Sequence, residues 1–181
     1  MKVIGISGSP LKGGNTDTAV QAVLEGARAA GAETEFVRLY ELEIAPCDGC
    51  DGCMAGGGCV IPDDATSLMA RLGQAQAVVF GTPIYWYYVS GVFKNFADRT
   101  YAAYHHKDLA GKQVVALLVQ HSSGAEEAVS LFRHWCSDQE SNLLEAVTIN
   151  TESRQGVVAR DKELLARLER LGRRLATAGN R

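Results

Sequence analysis

Short apolar runs recur along the chain, and longer amphipathic segments separate them. The runs are KVIGIS at Lys2–Ser7, EFVRL at Glu35–Leu39, QAVVFG at Gln76–Gly81, VVALLV at Val114–Val119 and EAVTI at Glu145–Ile149. Helices are predicted near Thr16–Ala30, Asp64–Leu72, Ser90–Tyr101, Glu126–Ser137 and Arg160–Ala178. A strand that is apolar at nearly every position is buried on both faces. Alternating such strands with helices builds a parallel sheet covered on both sides. The expected fold is therefore α/β, a three-layer sandwich with a five-stranded parallel sheet. Strand order 2-1-3-4-5 and half of a doubly wound dinucleotide-binding sheet both fit. In either topology a ligand sits beyond the carboxyl ends of the strands, near the switch in strand order. Function is sought in the loops at that end.

A chain of 181 residues reads as one domain, 1–181, long enough for a substantial core. Lys and Arg number 18 and Asp and Glu 21, a formal charge of -3, and no basic stripe argues for nucleic acid. The run from Arg160 to Arg181 mixes signs at helical spacing and reads as a solvated helix face. Met1 leads directly into the first apolar run, so no secretory signal is expected. No run approaches the roughly 18 apolar residues of a membrane span. A cytoplasmic location without membrane or nucleic-acid partners is the expectation, and thiols there stay reduced.

The first loop, S7-G-S-P-L-K-G-G-N-T16, joins a buried strand to a helix. Exposed amides and the positive end of a helix suit a phosphate. Ser9, Asn15 and Thr16 offer side-chain donors, and Gly13 and Gly14 allow close backbone approach; Leu11 belongs to the same candidate site. The segment is neither G-x-G-x-x-G nor G-x-x-x-x-G-K-[ST], which argues against a dinucleotide fingerprint and an NTPase. A phosphate monoester at the end of a flavin fits better. Helix capping and a plain turn would explain the same residues structurally.

The second loop is G81-T-P-I-Y-W-Y-Y88, with Pro83 expected to fix a turn. Four consecutive aromatics at a strand end cannot all face one core, so some should line a pocket or an interface between copies. A planar tricyclic ring is a natural guest, with backbone groups from Pro83 to Tyr87 reaching its polar edge. Lys94, Asp98 and Arg99 lie close enough on the next helix for ion pairing. The third loop, Q120-H-S-S-G-A125, adds His121, Ser122 and Gly124 as candidate cofactor contacts. His105 and His106 read as surface loop.

Four of the five cysteines, Cys47, Cys50, Cys53 and Cys59, fall in a loop expected at 46–62 after the second strand. C-x2-C-x2-C followed by x5-C matches ferredoxin-type ligation of a [4Fe–4S] cluster. A zinc site, a redox dithiol at Cys50 and Cys53, and unmetallated thiols compete with it. Cys136, beside Trp135 in an apolar helical stretch, reads as core.

Taken together, S7-G-S-P-x-x-x-G-N-T16, G81-T-P-I-Y85, S90-G-x-x-K-x-F-x-D-R99 and the cysteine pattern resemble the flavodoxin-like NAD(P)H-dependent FMN reductases, and among them the iron–sulfur flavoproteins. The resemblance spans Met1 to about Leu175. It implies a flavodoxin-like sandwich with FMN and a [4Fe–4S] cluster held by Cys47, Cys50, Cys53 and Cys59. Ser9, Asn15 and Thr16 would hold the phosphate, and Pro83, Ile84, Tyr85 and Trp86 the isoalloxazine edge. It implies homodimers or homotetramers, electrons from a ferredoxin-type donor or NAD(P)H, and a small-molecule acceptor such as a quinone. A cluster-free NAD(P)H-dependent quinone reductase and a flavodoxin-type electron carrier are the alternatives. At the third loop, His121-Ser122-Ser123 departs from the family's usual Thr-Gly type of turn.

Overall fold

The first strand lies inside the sheet, next to one edge, because its residues are apolar toward both faces. β1 (Lys2–Ser7) pairs in parallel with β2 (Glu33–Arg38) on one side and with β3 (Ala77–Tyr85) on the other. β5 (Gln113–Gln120) and β6 (Asn142–Asn150) extend the sheet in parallel, giving the order β2-β1-β3-β5-β6. These five parallel strands have the flavodoxin-like order. The computed structural model describes residues 1–178. The domain and the charged run expected to reach Arg181 include three residues outside the described ones.

β4 (Tyr88–Val89) was not foreseen: it folds back antiparallel on the end of β3, with Tyr85 opposite Tyr88 and Ile84 opposite Val89. Trp86 and Tyr87 make the turn with φ of 48° and 64°. Two left-handed residues are what a tight two-residue hairpin demands. Pro83 therefore does not make the turn. It lies within β3, opposite Val119, and the strand runs four residues past its expected end at Gly81.

Alternate strand residues face two cores. Ile4, Ile6, Phe80 and Leu118 pack beneath α2 (Asp64–Gln74), α3 (Gly91–Arg99) and α5 (Glu126–Asp138). Val3, Val79, Val115 and Leu117 pack beneath α1 (Asn15–Ala29) and α7 (Lys162–Ala178). α4 (Tyr101–His106) carries His105 and His106, which corrects their placement in a loop. The terminal helix is preceded by the short α6 (Val157–Arg160), separated from it by Asp161. No helix among the described residues is long and apolar enough to cross a membrane. The chain from Leu42 to Asp63, which contains the four clustered cysteines, joins β2 to α2.

Candidate functional site

The loop after β1 is braced from below by a buried carboxylate. Asp17 accepts hydrogen bonds from Ser7 Oγ (2.5 Å), Gly13 N (2.8 Å) and Arg38 Nε (2.9 Å). Arg38 also donates to the carbonyl of Ser9 at 3.2 Å. Ser9 Oγ accepts from Leu11 N at 3.2 Å, so its own hydroxyl hydrogen stays available. Gly14 is the N-cap of α1 and brings no side-chain cap. The first-turn amides of Asn15 and Thr16 therefore keep their donor capacity, at the positive end of a 15-residue helix.

Asn15 departs from its expected use. Its Nδ2 donates to Arg154 O (2.8 Å) and its Oδ1 accepts from Val158 N (3.1 Å), so the side chain ties the chain after β6 to the first loop.

At the carboxyl end of the sheet a cavity of about 270 Å³ opens over this loop. Ser9, Leu11, Asn15 and Thr16 line one end, and Pro83, Ile84, Tyr85 and His121 line another part. Burial, with a smaller contribution from nearby Tyr40, pushes the Tyr85 phenol above its ordinary value. The remaining expected contacts are not in the wall. Trp86, 93% exposed, stands at the hairpin tip. Ser122 is exposed. Gly124 has φ of 99° and lies under the Tyr87 ring, where an added Cβ would come within 2.9 Å of Cδ1. It supports the hairpin, not the cavity. Gly14 caps α1 and contributes its position in the cradle.

Several lining residues went unread in the sequence: Gln120, Thr151, Ser153, Arg154 and Gln155. Gln120 donates through Nε2 to Asn150 Oδ1 (2.7 Å), while its buried Oε1 has no partner among the described residues. An unpaired buried acceptor is costly, which marks it as a place for a donor on a ligand. The signal that could have found the other four was topological. T151-E-S-R-Q-G156 follows the last parallel strand and so opens at the same end of the sheet as the three loops.

The cysteines lie elsewhere. Cys47 borders a groove of about 710 Å³ with Tyr101, Tyr104 and Trp135, whereas Cys59 borders a separate one with Met69 and His106. All five thiols are free. Among the described residues no three His, Cys, Asp or Glu side chains converge as metal ligands. Burial, then the neighbouring Cys59 and Cys50, push the Cys53 thiol up. Cys136 is buried in the core as expected, and burial pushes it up to about 11.

Arg99, one of the three charges read as close enough for ion pairing on its helix, holds this segment. Its side chain is fully buried; it ion-pairs with Asp63 and donates to Ala45 O (2.9 Å), Cys59 Sγ (3.2 Å) and Ile61 O (3.3 Å). Asp63 in turn caps α2. Of the three charges read on this helix, only Lys94 and Asp98 pair with each other.

Residues 1–154 match the NADPH-dependent FMN reductase family. The chain belongs to that family. It is 41% identical over 100 residues to an iron–sulfur flavoprotein of Methanocaldococcus jannaschii, a match covering 55% of this chain and 52% of that protein. It is 31% identical over 139 residues to an iron–sulfur flavoprotein of Methanosarcina thermophila, covering 75% and 72% of the two chains. The chain thus spans about half the length of the first of these relatives. A solved flavone reductase superposes with a TM-score of 0.78 over 99% of this chain and 63% of its own, at 22% identity. That likeness shows the fold. Family membership and the iron–sulfur flavoprotein relatives agree with what the loop motifs predicted.

Proposed function

We propose that this protein is an FMN-dependent oxidoreductase that uses NAD(P)H to reduce a small acceptor. The observation that carries the reading is the cavity at the strand ends, with an uncapped helix N-terminus at one end and the Pro83–Tyr85 wall beside it. The residues fit FMN. A phosphate suits the Ser9 hydroxyl and the free first-turn amides of Asn15 and Thr16. The buried, unpartnered Oε1 of Gln120 suits a donor on the ribityl chain or ring. When bound, FMN supplies the redox chemistry, accepting a hydride or electrons and passing them to the acceptor. The chain's own residues position it. Asp17 and Arg38 fix the phosphate loop, Asn15 braces the opposite wall, and the end of β3 sets the plane against which the ring lies. His121, whose Nδ1 is 3.1 Å from Ser153 Oγ, is held at the rim as a hydrogen-bonding group. No side chain is needed as a nucleophile.

A second reading, electron transfer from a ferredoxin-type donor through a [4Fe–4S] cluster, is supported by the cysteine spacing and by the names of the relatives. As folded, Cys47 and Cys59 border different grooves and no three metal-ligating side chains converge among the described residues, so no electron route is drawn through them. A homodimer or homotetramer in the cytoplasm completes the proposal. The association of copies is supported by the exposed hairpin, where Tyr85, Trp86 and Tyr87 are 48%, 93% and 63% accessible.

One preparation tests these statements. Protein purified without oxygen is assayed for flavin, iron and acid-labile sulfide, sized by light scattering, and mixed with NADH, NADPH and a quinone. Bound FMN, turnover with a pyridine nucleotide and no iron are expected. FMN without turnover would leave an electron carrier, and stoichiometric iron and sulfide would restore the cluster route.

A further inference from the structure

Resting on the flavin reading above, we propose that Arg154, on the loop between β6 and α6, supplies the counter-charge for the FMN phosphate and sets the preference for FMN over riboflavin. A phosphate monoester carries close to two negative charges at neutral pH. The cradle itself brings no free cation to meet them. Lys12 points away to Glu41, at 2.9 Å, and is 80% exposed. Arg38 is buried and committed to Asp17, Glu41 and the Ser9 carbonyl. Asp17 is itself an anion in the first turn of α1, so Arg38 serves to cancel it. The helix end offers only about half a positive charge.

Among the described residues, Arg154 is the only Lys or Arg lining the cavity. Its carbonyl accepts from Asn15 Nδ2 at 2.8 Å, which places its backbone beside the cradle. Its guanidinium is paired with exposed Glu152 at 2.7 Å, a kind of contact that is weak and readily exchanged. A guanidinium donates two parallel hydrogen bonds to phosphate oxygens, so exchange of Glu152 for phosphate is favourable.

The backbone of this loop is built for presentation. Glu152 and Ser153 both hold left-handed φ, 48° and 57°, an uncommon pair for residues with side chains. Such backbone persists only where its surroundings fix it. Here Thr151 Oγ1 donates to Gln120 O (3.0 Å), Glu152 N to His121 O (2.8 Å) and Arg154 N to Thr151 O (2.8 Å). The strained turn brings Ser153, Arg154 and Gln155 together in the cavity wall, with the Arg154 carbonyl bonded to Asn15 of the cradle.

The test is a fluorescence titration of flavin-stripped protein with FMN and with riboflavin, at low and high salt. Wild type, Arg154→Ala, Arg154→Lys and Lys12→Ala are compared. Arg154→Ala should weaken FMN roughly 10- to 100-fold, the value of a lost charge-assisted contact, and leave riboflavin unchanged. Its FMN affinity should also lose most of its salt dependence, and Arg154→Lys should recover part of the loss. Equal loss for both flavins would make Arg154 a structural wall residue and overturn the proposal, as would a larger loss from Lys12→Ala. If wild type binds neither flavin, the flavin reading fails and this inference with it. If wild type binds FMN and riboflavin alike, the flavin reading stands and only the role of Arg154 falls.

Discussion

Asp63 shows how one residue can hold a loop and report on pH. Burial pushes its carboxyl up, but the hydrogen bonds from Arg99 and from the Ala45 amide outweigh burial and hold it below the ordinary carboxylate value. A depressed folded pKa means the unfolded chain binds the proton more readily, so the pair stabilises the protein above the unfolded value of about 4. That contribution is lost as pH falls through the lower folded value. Asp63→Asn keeps a capping oxygen for α2 but strands a buried guanidinium, at a cost of about 3 to 5 kcal/mol at neutral pH. Urea unfolding of both proteins from pH 7 downward checks this. The stability gap should narrow below about pH 4, and a gap that stays constant would show that the pair does not titrate. None of this was visible in KNFADR, where Asp98 and Arg99 lie four and five residues from Lys94 but the true partner of Arg99 lies 36 residues away. Local spacing suggests local pairing. Only the tertiary fold supplies Asp63.

At the level of elements, the five parallel strands were legible because burial on both faces leaves an apolar run that few other structures produce. The first loop was legible for the same reason: glycines and hydroxyls between a strand and a helix have a specific use. Two elements were not. β4 has only two residues, and a turn through Trp86 and Tyr87 lacks the glycine or asparagine that announces a tight hairpin. The β6–α6 loop is ordinary polar sequence, and its place in the cavity comes from topology. What fixes the hairpin is the third loop. Gly124, with φ of 99°, leaves room for the Tyr87 ring, and a methyl group there would press on it at 2.9 Å. Gly124→Ala should cost about 1 to 2 kcal/mol through backbone strain and displacement of the hairpin. Thermal unfolding of Gly124→Ala, Tyr87→Ala and the double variant should show coupling, with the double less destabilised than the sum. Strict additivity would mean that Tyr87 and Gly124 are independent.

At the scale of the molecule, the first and last helices meet on one face of the sheet, where α7 crosses α1 at a pair of glycines. A Cβ on Gly172 would lie 1.9 Å from Val23 O, and one on Gly26 would lie 1.9 Å from Glu169 O. Both obstacles are backbone, so neither can turn aside. The helices must separate to admit even a methyl group. The same α1 that α7 clamps presents its N-terminus to the cavity, so this crossing sets how far the phosphate cradle stands from Arg154 and the end of β3. Gly172→Ala should therefore cost about 2 to 3 kcal/mol, the scale of overpacking a close interface, and weaken FMN binding as well, although the substitution touches no residue of the cavity. Gly73→Ala is the matched control. It too lies in a helix, but its Cβ would meet nothing within 4 Å, and it should gain about 0.5 to 1 kcal/mol from the better helix former. Denaturant midpoints and FMN titrations of the two variants decide the matter. Lower stability and lower FMN affinity together in Gly172→Ala, with neither in Gly73→Ala, would show that the helix crossing positions the cradle. Lower stability with unchanged affinity would mean that the sheet and the bond network around Asp17 hold the cradle without help from α7.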